Sequence, residues 1–491
     1  MTKKIFALIL SLCLLLGAVG AMAAGDPIRW LTTGDAGAKP IIMNDRIMTY
    51  LNEKFGIELN VQYVPEGNVE KVNVAMASGD FPDIVTGSYG TSATQSWIDN
   101  GMLIPLNDYM DKYPNLKARL ETYAWSAVDG KYYGVPFITQ YNSANQLIMM
   151  RQDWLDKLNL AYPKTLEELK KVFLAFTNDD PDGNGRNDTY GYTTVKPAGN
   201  FNWAFYAFGR QYGDYELDAN GQVIPWFEAP SFIPGMTYLH ELWQAGVIDP
   251  EFLLNDLAKN EEKFYQGKAG AVVVPLYRHV SRHEKNLQSI SPDAAIAYGP
   301  APLGPDGQSS GLSPQGKAGF FTGVTAVCKA PEKAVAFLDF MLSPEGHHLL
   351  RSGIEGIHYT VVDGKEVPNE EERAKDNFSP NGWAHPLAWG SLYWPLESNY
   401  LPAGEPNRER ALETVDLATA AQRPNLIKQR TPLEIEHASA LDDIVTQYFM
   451  DMLRGNLSVE EGAKQLSAEW RSQGGDELLK ELNEVYAAQV K

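Results

Sequence analysis

Cysteine is nearly missing from this 491-residue chain, which carries two, Cys13 and Cys328. Cys13 falls in a leader that processing would remove, so one thiol remains and no internal disulfide can staple the fold. Positive charge is scarce as well, with 42 Lys and Arg against 62 Asp and Glu. A formal net charge of −20 leaves no basic face for phosphate backbones, so nucleic acid is not an expected partner. Long apolar runs are lacking beyond the first two dozen residues, and with them any second candidate for a membrane span. No internal repeat or low-complexity tract is present. Stability must therefore come from packing, and from a metal if the chain binds one.

What is there begins with export. Lys3 and Lys4 form a basic start, an apolar run extends from Ile5 to Leu16, and Ala21-Met22-Ala23 is a small-x-small cleavage site. Together they predict a signal peptide over residues 1–23 and a mature protein in the periplasm or another extracytoplasmic space. Leu12 stands before Cys13 where a lipidation box wants a small residue, so a soluble product is expected rather than a lipid-anchored one. The rest is long enough for two to three domains, with 44% hydrophobic residues to fill their cores.

The hydrophobic pattern alternates between strand and helix. Short strands are expected at 28–31 and 58–63 around an amphipathic helix over Asp45 to Phe55, and a further helix over Val69 to Ser78 leads into Ile84-Val85. This alternation predicts an α/β lobe with a largely parallel sheet. After the Asp129-Gly130 turn, Tyr132 to Phe137 and Asn145 to Met150 read as extended segments that cross between lobes. Thr165 to Phe176 predicts a capped helix with Leu166, Leu169, Val172, Phe173 and Phe176 on one stripe. Helices are expected at Phe232 to Ala245, Lys259 to Gln266 and Ala330 to Leu342, with another starting at Ser343, and a strand at Ala269 to Pro275. Pro300 to Gly319 is a linker candidate, with nine Gly or Pro in twenty residues. From Leu433 onward the chain reads as mostly helical, with Ser458 and Glu461 as a capping box.

Several stretches in order resemble the solute-binding proteins of ABC importers, of the long, family 1-like oligosaccharide-binding type. They are Ser78 to Ile84 (SGDFPDI), Asp129 to Pro136 (DGKYYGVP), Arg151 to Leu158 followed by Pro163 to Leu169, Ala334 to Gly346, and Gly353-Ile354-Glu355-Gly356 with His358-Tyr359. The resemblance implies a two-lobe periplasmic-binding-protein fold, type II-like, with a hinge between α/β lobes and a mostly helical C-terminal region. It implies a first lobe of residues 24–137 plus about 319–352, and a second of 138–318 plus about 353–491. It further implies a monomer without catalysis that hands an oligosaccharide to ABC transporter permease subunits. Binding of another solute such as a peptide, and an exported carbohydrate-active enzyme, stay open as alternatives.

The sharpest local motif is Asp180-Pro181-Asp182-Gly183-Asn184-Gly185-Arg186-Asn187-Asp188, which follows the first nine positions of an EF-hand-like calcium loop. Hard Ca²⁺ takes six to eight oxygens, and alternate side chains converge while the sixth-position Gly allows a sharp turn. Asp180, Asp182, Asn184 and Asp188 would supply side-chain oxygens and Arg186 its carbonyl, for a structural ion. Position twelve is Gly191, so the usual bidentate Glu is lacking, and a solvated Asx-Gly turn is the competing reading.

Three enzyme-like motifs fail on context. Gly307 to Gly311 fits G-x-S-x-G but lies in the linker candidate, and Gly311 to Lys317 resembles a P-loop with Ala318 in the magnesium position. His279, His283 and Glu284 lack a further zinc ligand. Aromatics are plentiful, with 11 Trp, 24 Tyr and 19 Phe, and flat rings on cleft loops suit sugar faces. By analogy with the family, the ligand contacts are expected to be Tyr89, Tyr277 and Trp394, with Trp203, Trp383 and Trp389 stacking on sugar rings. Asp83 and Arg278 are expected to bond hydroxyls or, for Arg278, a uronate carboxylate.

Overall fold

A computed structural model describes residues 25–34, 41–65, 69–88, 91–137, 146–195, 198–275, 283–307, 311–314, 320–378, 384–390, 408–427 and 431–490. The predicted signal peptide lies outside them. The strands of the two main sheets are, in chain order, β1 (Asp26–Gly34), β2 (Ile57–Pro65), β3 (Ile84–Ser88), β4 (Val135–Phe137), β5 (Gln146–Arg151), β6 (Tyr190–Thr193), β7 (Ala269–Pro275), β8 (Ile296–Ala297) and β9 (Phe320–Val324). The helices that matter below are α1 (Arg46–Phe55), α2 (Val69–Ala77), α3 (Leu166–Asn178), α4 (Phe232–Gln244), α5 (Leu257–Tyr265), α6 (Pro331–Met341), α7 (Pro344–Ser352), α8 (Glu370–Lys375), α9 (Pro432–Arg454), α10 (Val459–Trp470) and α11 (Asp476–Gln489).

The chain forms two compact units. Of the described residues, the first holds those within 25–88, 93–137 and 320–390, and the second those within 91–92, 146–314 and 408–490.

In the first unit the strand order is β2-β1-β3-β9-β4. β1 pairs parallel with β2 and β3, and β9 runs antiparallel between β3 and β4. Each parallel neighbour needs a crossover, and α1 and α2 supply them. Helix α1 starts where Asp45 accepts the Met48 N–H and stops at Gly56, whose φ of 61° suits a residue without Cβ. Its inner face buries Ile47, Met48 and Leu51 in a core shared with Trp30, Phe337 and Leu338. Residues 353–390 close this unit. Ala384, Leu387 and Ala388 join that core, and Tyr63 donates a 2.8 Å hydrogen bond to the Pro386 carbonyl. The assignment of residues from about 353 to the second lobe is therefore corrected for 353–378 and 384–390. Contacts more than 300 residues apart in sequence, which no local pattern announces, place that stretch.

The second unit has a sheet in the order β8-β5-β7-β6, with β6 parallel to β7 and β5 antiparallel to both β7 and β8. Helix α3 packs on it through the expected stripe: Leu166, Leu169, Val172, Phe173 and Phe176 are all buried. Thr165 and Glu168 bond reciprocally to each other's backbone N–H, a complete capping box. At Ser458 only the forward bond, Glu461 N–H to Ser458 Oγ, is part of the cap, whereas Thr431 and Glu434 form a full box that opens α9. Helices α9, α10 and α11 contribute Phe449, Met452, Leu466, Trp470 and Leu482 to the same large core.

The capping box yields a direct test. Thr165→Ala should lower folding stability by about 1 kcal/mol, read as a lower urea midpoint with an unchanged m-value.

Candidate functional site

Parallel pairing collects strand ends. In the first sheet β1, β2, β3 and β4 all leave at one edge, through Gly34, Pro65, Ser88 and Phe137. In the second, β6 and β7 end at the edge where β5 begins, since Gln146 pairs with Pro275. Open α/β sheets bind ligands outside the carboxyl ends of their strands. Each unit therefore has one chemically eligible edge.

Against that frame the expected contacts separate. Asp83 sits at the opposite, amino end of β3, where its Oδ2 accepts the Arg29 N–H at 2.8 Å. Its own N–H bonds the Arg29 carbonyl and its carbonyl accepts from Thr325 N–H, so its backbone and carboxylate tie strands together. Beside it the Cys328 thiol is pushed up to about 11 by burial, with Asp83 adding to the effect. Asp83 is thus a sheet residue at the amino end of β3. Trp203 is corrected from sugar contact to core residue. It is 1% exposed, with Phe173, Tyr192 and Tyr238 set edge-to-face around it at ring-centroid distances of 6.3, 6.0 and 6.1 Å. A ring enclosed by aromatic neighbours has no face left for a sugar.

Tyr89, Tyr277, Arg278, Trp383 and Trp394 lie outside the described residues. The chain reaches Tyr89 from the carboxyl end of β3, and Tyr277 and Arg278 from the carboxyl end of β7. Trp389 belongs to a short 3₁₀ turn, Pro386–Gly390, in which Leu387 and Ala388 are buried. Of the dismissed zinc set, His283 is bonded to the Tyr265 hydroxyl at 2.6 Å and Glu284 is paired with Arg410 at 2.8 Å.

The calcium-loop motif follows α3 directly. Asp180 adopts φ 48° and its Oδ2 accepts the Gly185 N–H at 3.1 Å. Asn184 Nδ2 stands between Asp182 Oδ2, at 2.7 Å, and Asp188 Oδ1, at 3.0 Å, while Asn184 Oδ1 accepts the Arg186 N–H. Two lysines not anticipated from the sequence press on the loop. Lys268 Nζ is 2.8 Å from Asp188 Oδ2, and Lys157 Nζ donates to the Asp180 and Pro181 carbonyls at 3.1 and 2.9 Å. The Lys268 ammonium, then the Asn184 amide, hold the Asp188 carboxyl below its usual range. Asp180 Oδ1 is buried without a hydrogen-bond partner, an oxygen that a hard cation would satisfy. Among the described residues no three His, Cys, Asp or Glu are yet gathered around one point.

The missing Glu at position twelve has a packing cause. Gly191 lies in β6 against α3, and a Cβ there would fall 2.5 Å from the Phe173 carbonyl oxygen and 2.7 Å from its Cα. No side chain fits. Thr189 turns away from the loop as well, donating its hydroxyl to the Phe176 carbonyl at 2.7 Å. Neither lysine had a local signal, for Lys157 and Lys268 are 23 and 80 residues from the groups they bond.

With both sheets and the loop established, comparison with known proteins decides the family. The family model described as bacterial extracellular solute-binding protein matches residues 30–348, more than half of the chain. The chain belongs to that family. It is 27% identical over 464 residues to YtcQ of Bacillus subtilis, a polygalacturonan/rhamnogalacturonan-binding protein, covering 90% of this chain and 88% of YtcQ. Lipoprotein LipO of the same species is 26% identical over 458 residues, 88% and 87% of the two chains. Among solved structures, FusA of Streptococcus pneumoniae in complex with kestose superposes with a TM-score of 0.72 at 21% identity, over 94% of this chain and 99% of that one. The alginate-binding protein AlgQ2 without calcium ion gives 0.73 at 20% identity, over 95% and 99%. These structures establish the two-domain α/β fold of the solute-binding family, with its mostly helical C-terminal region. Among the described residues no helix is long and apolar enough to cross a membrane.

As a solute-binding protein with Trp203 in its core, the chain should answer Trp203→Ala with a loss of about 3 to 5 kcal/mol of folding stability. Ligand affinity of the fraction that remains folded should be unchanged, as measured by denaturant melts alongside calorimetric titration.

Proposed function

We propose that this protein is an exported binding component of an ABC-type importer that captures an oligosaccharide and delivers it, unhydrolysed, to membrane permease subunits. The observation that carries the reading is the match to YtcQ across 90% of the chain, since the named ligand of that relative is a polysaccharide. FusA with kestose and AlgQ2, named for alginate, support the same ligand class. Capture would follow from hinged closure of the two lobes, and the contacts would come from Tyr89, Tyr277, Arg278, Trp383, Trp389 and Trp394. Aromatic faces would stack on sugar rings while Arg278 pairs with a hydroxyl or a uronate. The mature protein is proposed to be monomeric and free outside the cytoplasm. The small-x-small site at Ala21-Met22-Ala23 and the poor lipidation context of Cys13 support release from the membrane, although LipO is named a lipoprotein.

A thermal-shift series over neutral and acidic oligosaccharides tests the ligand class. Binding stabilises by about 2.7 kcal/mol at a hundredfold excess over Kd, so a true ligand should raise Tm distinctly. Stabilisation by peptides and by no sugar would overturn the reading.

Calcium belongs to the same proposal. The side chains of Asp180, Asp182, Asn184 and Asp188 and the Arg186 carbonyl would hold the ion, with the unpartnered Asp180 Oδ1 as the observation that favours it. The bound ion would supply positive charge that draws the three carboxylates together. The chain's own part is to keep them poised: Asn184 spaces Asp182 from Asp188, and Lys268 balances Asp188 meanwhile. Added calcium should raise Tm in the parent protein and leave Tm unchanged in Asp182→Ala, with sugar affinity altered by no more than a few-fold. If a chelator changes neither melting nor bound metal, the motif is a turn only.

A further inference from the structure

Two buried histidines in residues 353–390 are wired alike. His358 and His385 are 0% and 1% exposed. In His358, Nδ1 accepts the Ile354 N–H at 2.9 Å and Nε2 lies 2.6 Å from Asp376 Oδ2. In His385, Nδ1 accepts the Leu387 N–H at 3.2 Å and Nε2 lies 2.8 Å from Asp45 Oδ2. A nitrogen that accepts a backbone N–H has its lone pair engaged and carries no proton, so the other nitrogen must be the N–H that donates to the carboxylate. Each ring is held as one neutral tautomer by its two bonds.

Both carboxylates meet at one place, the start of α1. Asp45 caps that helix through the Met48 N–H, and Asp376 accepts the Arg46 N–H at 3.3 Å and Nε at 2.6 Å. Phe378 lies between the two imidazoles, 5.0 Å from His358 and 5.5 Å from His385. The rings, the phenyl group and the helix start thus form one buried cluster that joins the returning segment to the opening of the chain.

We propose that His358 is a proton-sensitive fastener, which beside the His385–Asp45 bond holds residues 353–378 and 384–390 on the first unit while its ring is neutral and loosens that segment when it takes up a proton. A proton added at His358 Nδ1 would face the Ile354 N–H that this atom now accepts, so protonation removes that hydrogen bond and leaves a buried donor unpaired. The charged or titratable groups around the cluster are Asp45 and Arg46 on α1, Glu372 and Arg373 on α8, and Asp376. Helix α7, which packs beside the Pro386–Gly390 turn, adds Arg351 and His347, and on β1 Arg29 is paired with Asp80. Burial, and then the Arg46 and Arg373 charges, hold His358 below the usual histidine range in spite of Asp376. Burial pushes Asp376 upward, but the bonds from His358 and Arg46 keep it below the usual carboxylate range, so it remains ionised while the histidine titrates. The sign follows. Below the unfolded-state value of about 6.5 the unfolded chain binds a proton that the folded His358 resists, so this contribution is complete above about pH 6.5 and is lost progressively as pH falls.

Hydrogen exchange on the full mature chain at pH 7.5 and 5.0, corrected for intrinsic exchange, tests the fastener. Protection of residues 353–378, 384–390 and the first turn of α1 should fall by roughly tenfold in acid relative to α9, α10 and α11. An equal change throughout the chain, or no change in the segment, would overturn the proposal. In the wild-type protein, long-range proton–nitrogen NMR at pH 7.5 should show His358 as the Nε2–H tautomer, and an Nδ1–H tautomer or an imidazolium there would also overturn it. In a folded His358→Gln variant the acid-specific loss should vanish, and its persistence would overturn the proposal.

Discussion

Parallel pairing of β1 with β2 and β3, and of β6 with β7, is the constraint from which the rest follows. A parallel neighbour cannot be reached by a tight turn, so each pair requires a crossover, and α1, α2, α4 and α5 lie in the chain between the paired strands. The crossovers cover the sheet faces and bury them. They also gather the carboxyl ends of the strands on a single edge of each sheet, which leaves that edge as the place where loops are free to differ in chemistry. The eligible edge of each sheet therefore originates in strand direction.

Much of this was legible locally. The stripe from Leu166 to Phe176 and its Thr165–Glu168 box form a helix because a 3.6-residue period and a reciprocal cap both lie within a dozen residues. The same holds for Ala269–Pro275, an apolar run of strand length bounded by Gly and a break. What local pattern left open depends on distance in sequence. Residues 353–378 and 384–390 belong with the first unit because Asp376 bonds Arg46 and His385 bonds Asp45, partners more than 300 positions away. Trp203 follows Gly199 and Asn200, which reads as loop, yet rings from Phe173, Tyr192 and Tyr238 enclose it once α3, β6 and α4 assemble.

The loop at Asp180 to Asp188 shows how a motif and its setting divide the explanation. Its spacing supplies oxygens in the order a hard cation prefers, but Gly191 is pressed against Phe173 and cannot carry a twelfth-position carboxylate. Lys268 meanwhile neutralises Asp188 from the neighbouring strand region. The backbone contact between β6 and α3 that secures the core is thus what departs from the usual calcium loop, and the acidic surplus there is balanced by lysines distant in sequence. Asp83 illustrates the same point at the other unit: an acidic residue in a family-like string bonds β1 from the start of β3.

The central claim is that the protein binds an oligosaccharide and leaves it intact. It is tested most directly by calorimetric titration of the mature chain with a stabilising oligosaccharide, followed by chromatographic recovery of that sugar after prolonged incubation. The account predicts one-to-one binding and quantitative recovery of the sugar at its original length. Shorter sugars accumulating in proportion to protein and time, or no heat of binding with any oligosaccharide, would contradict it.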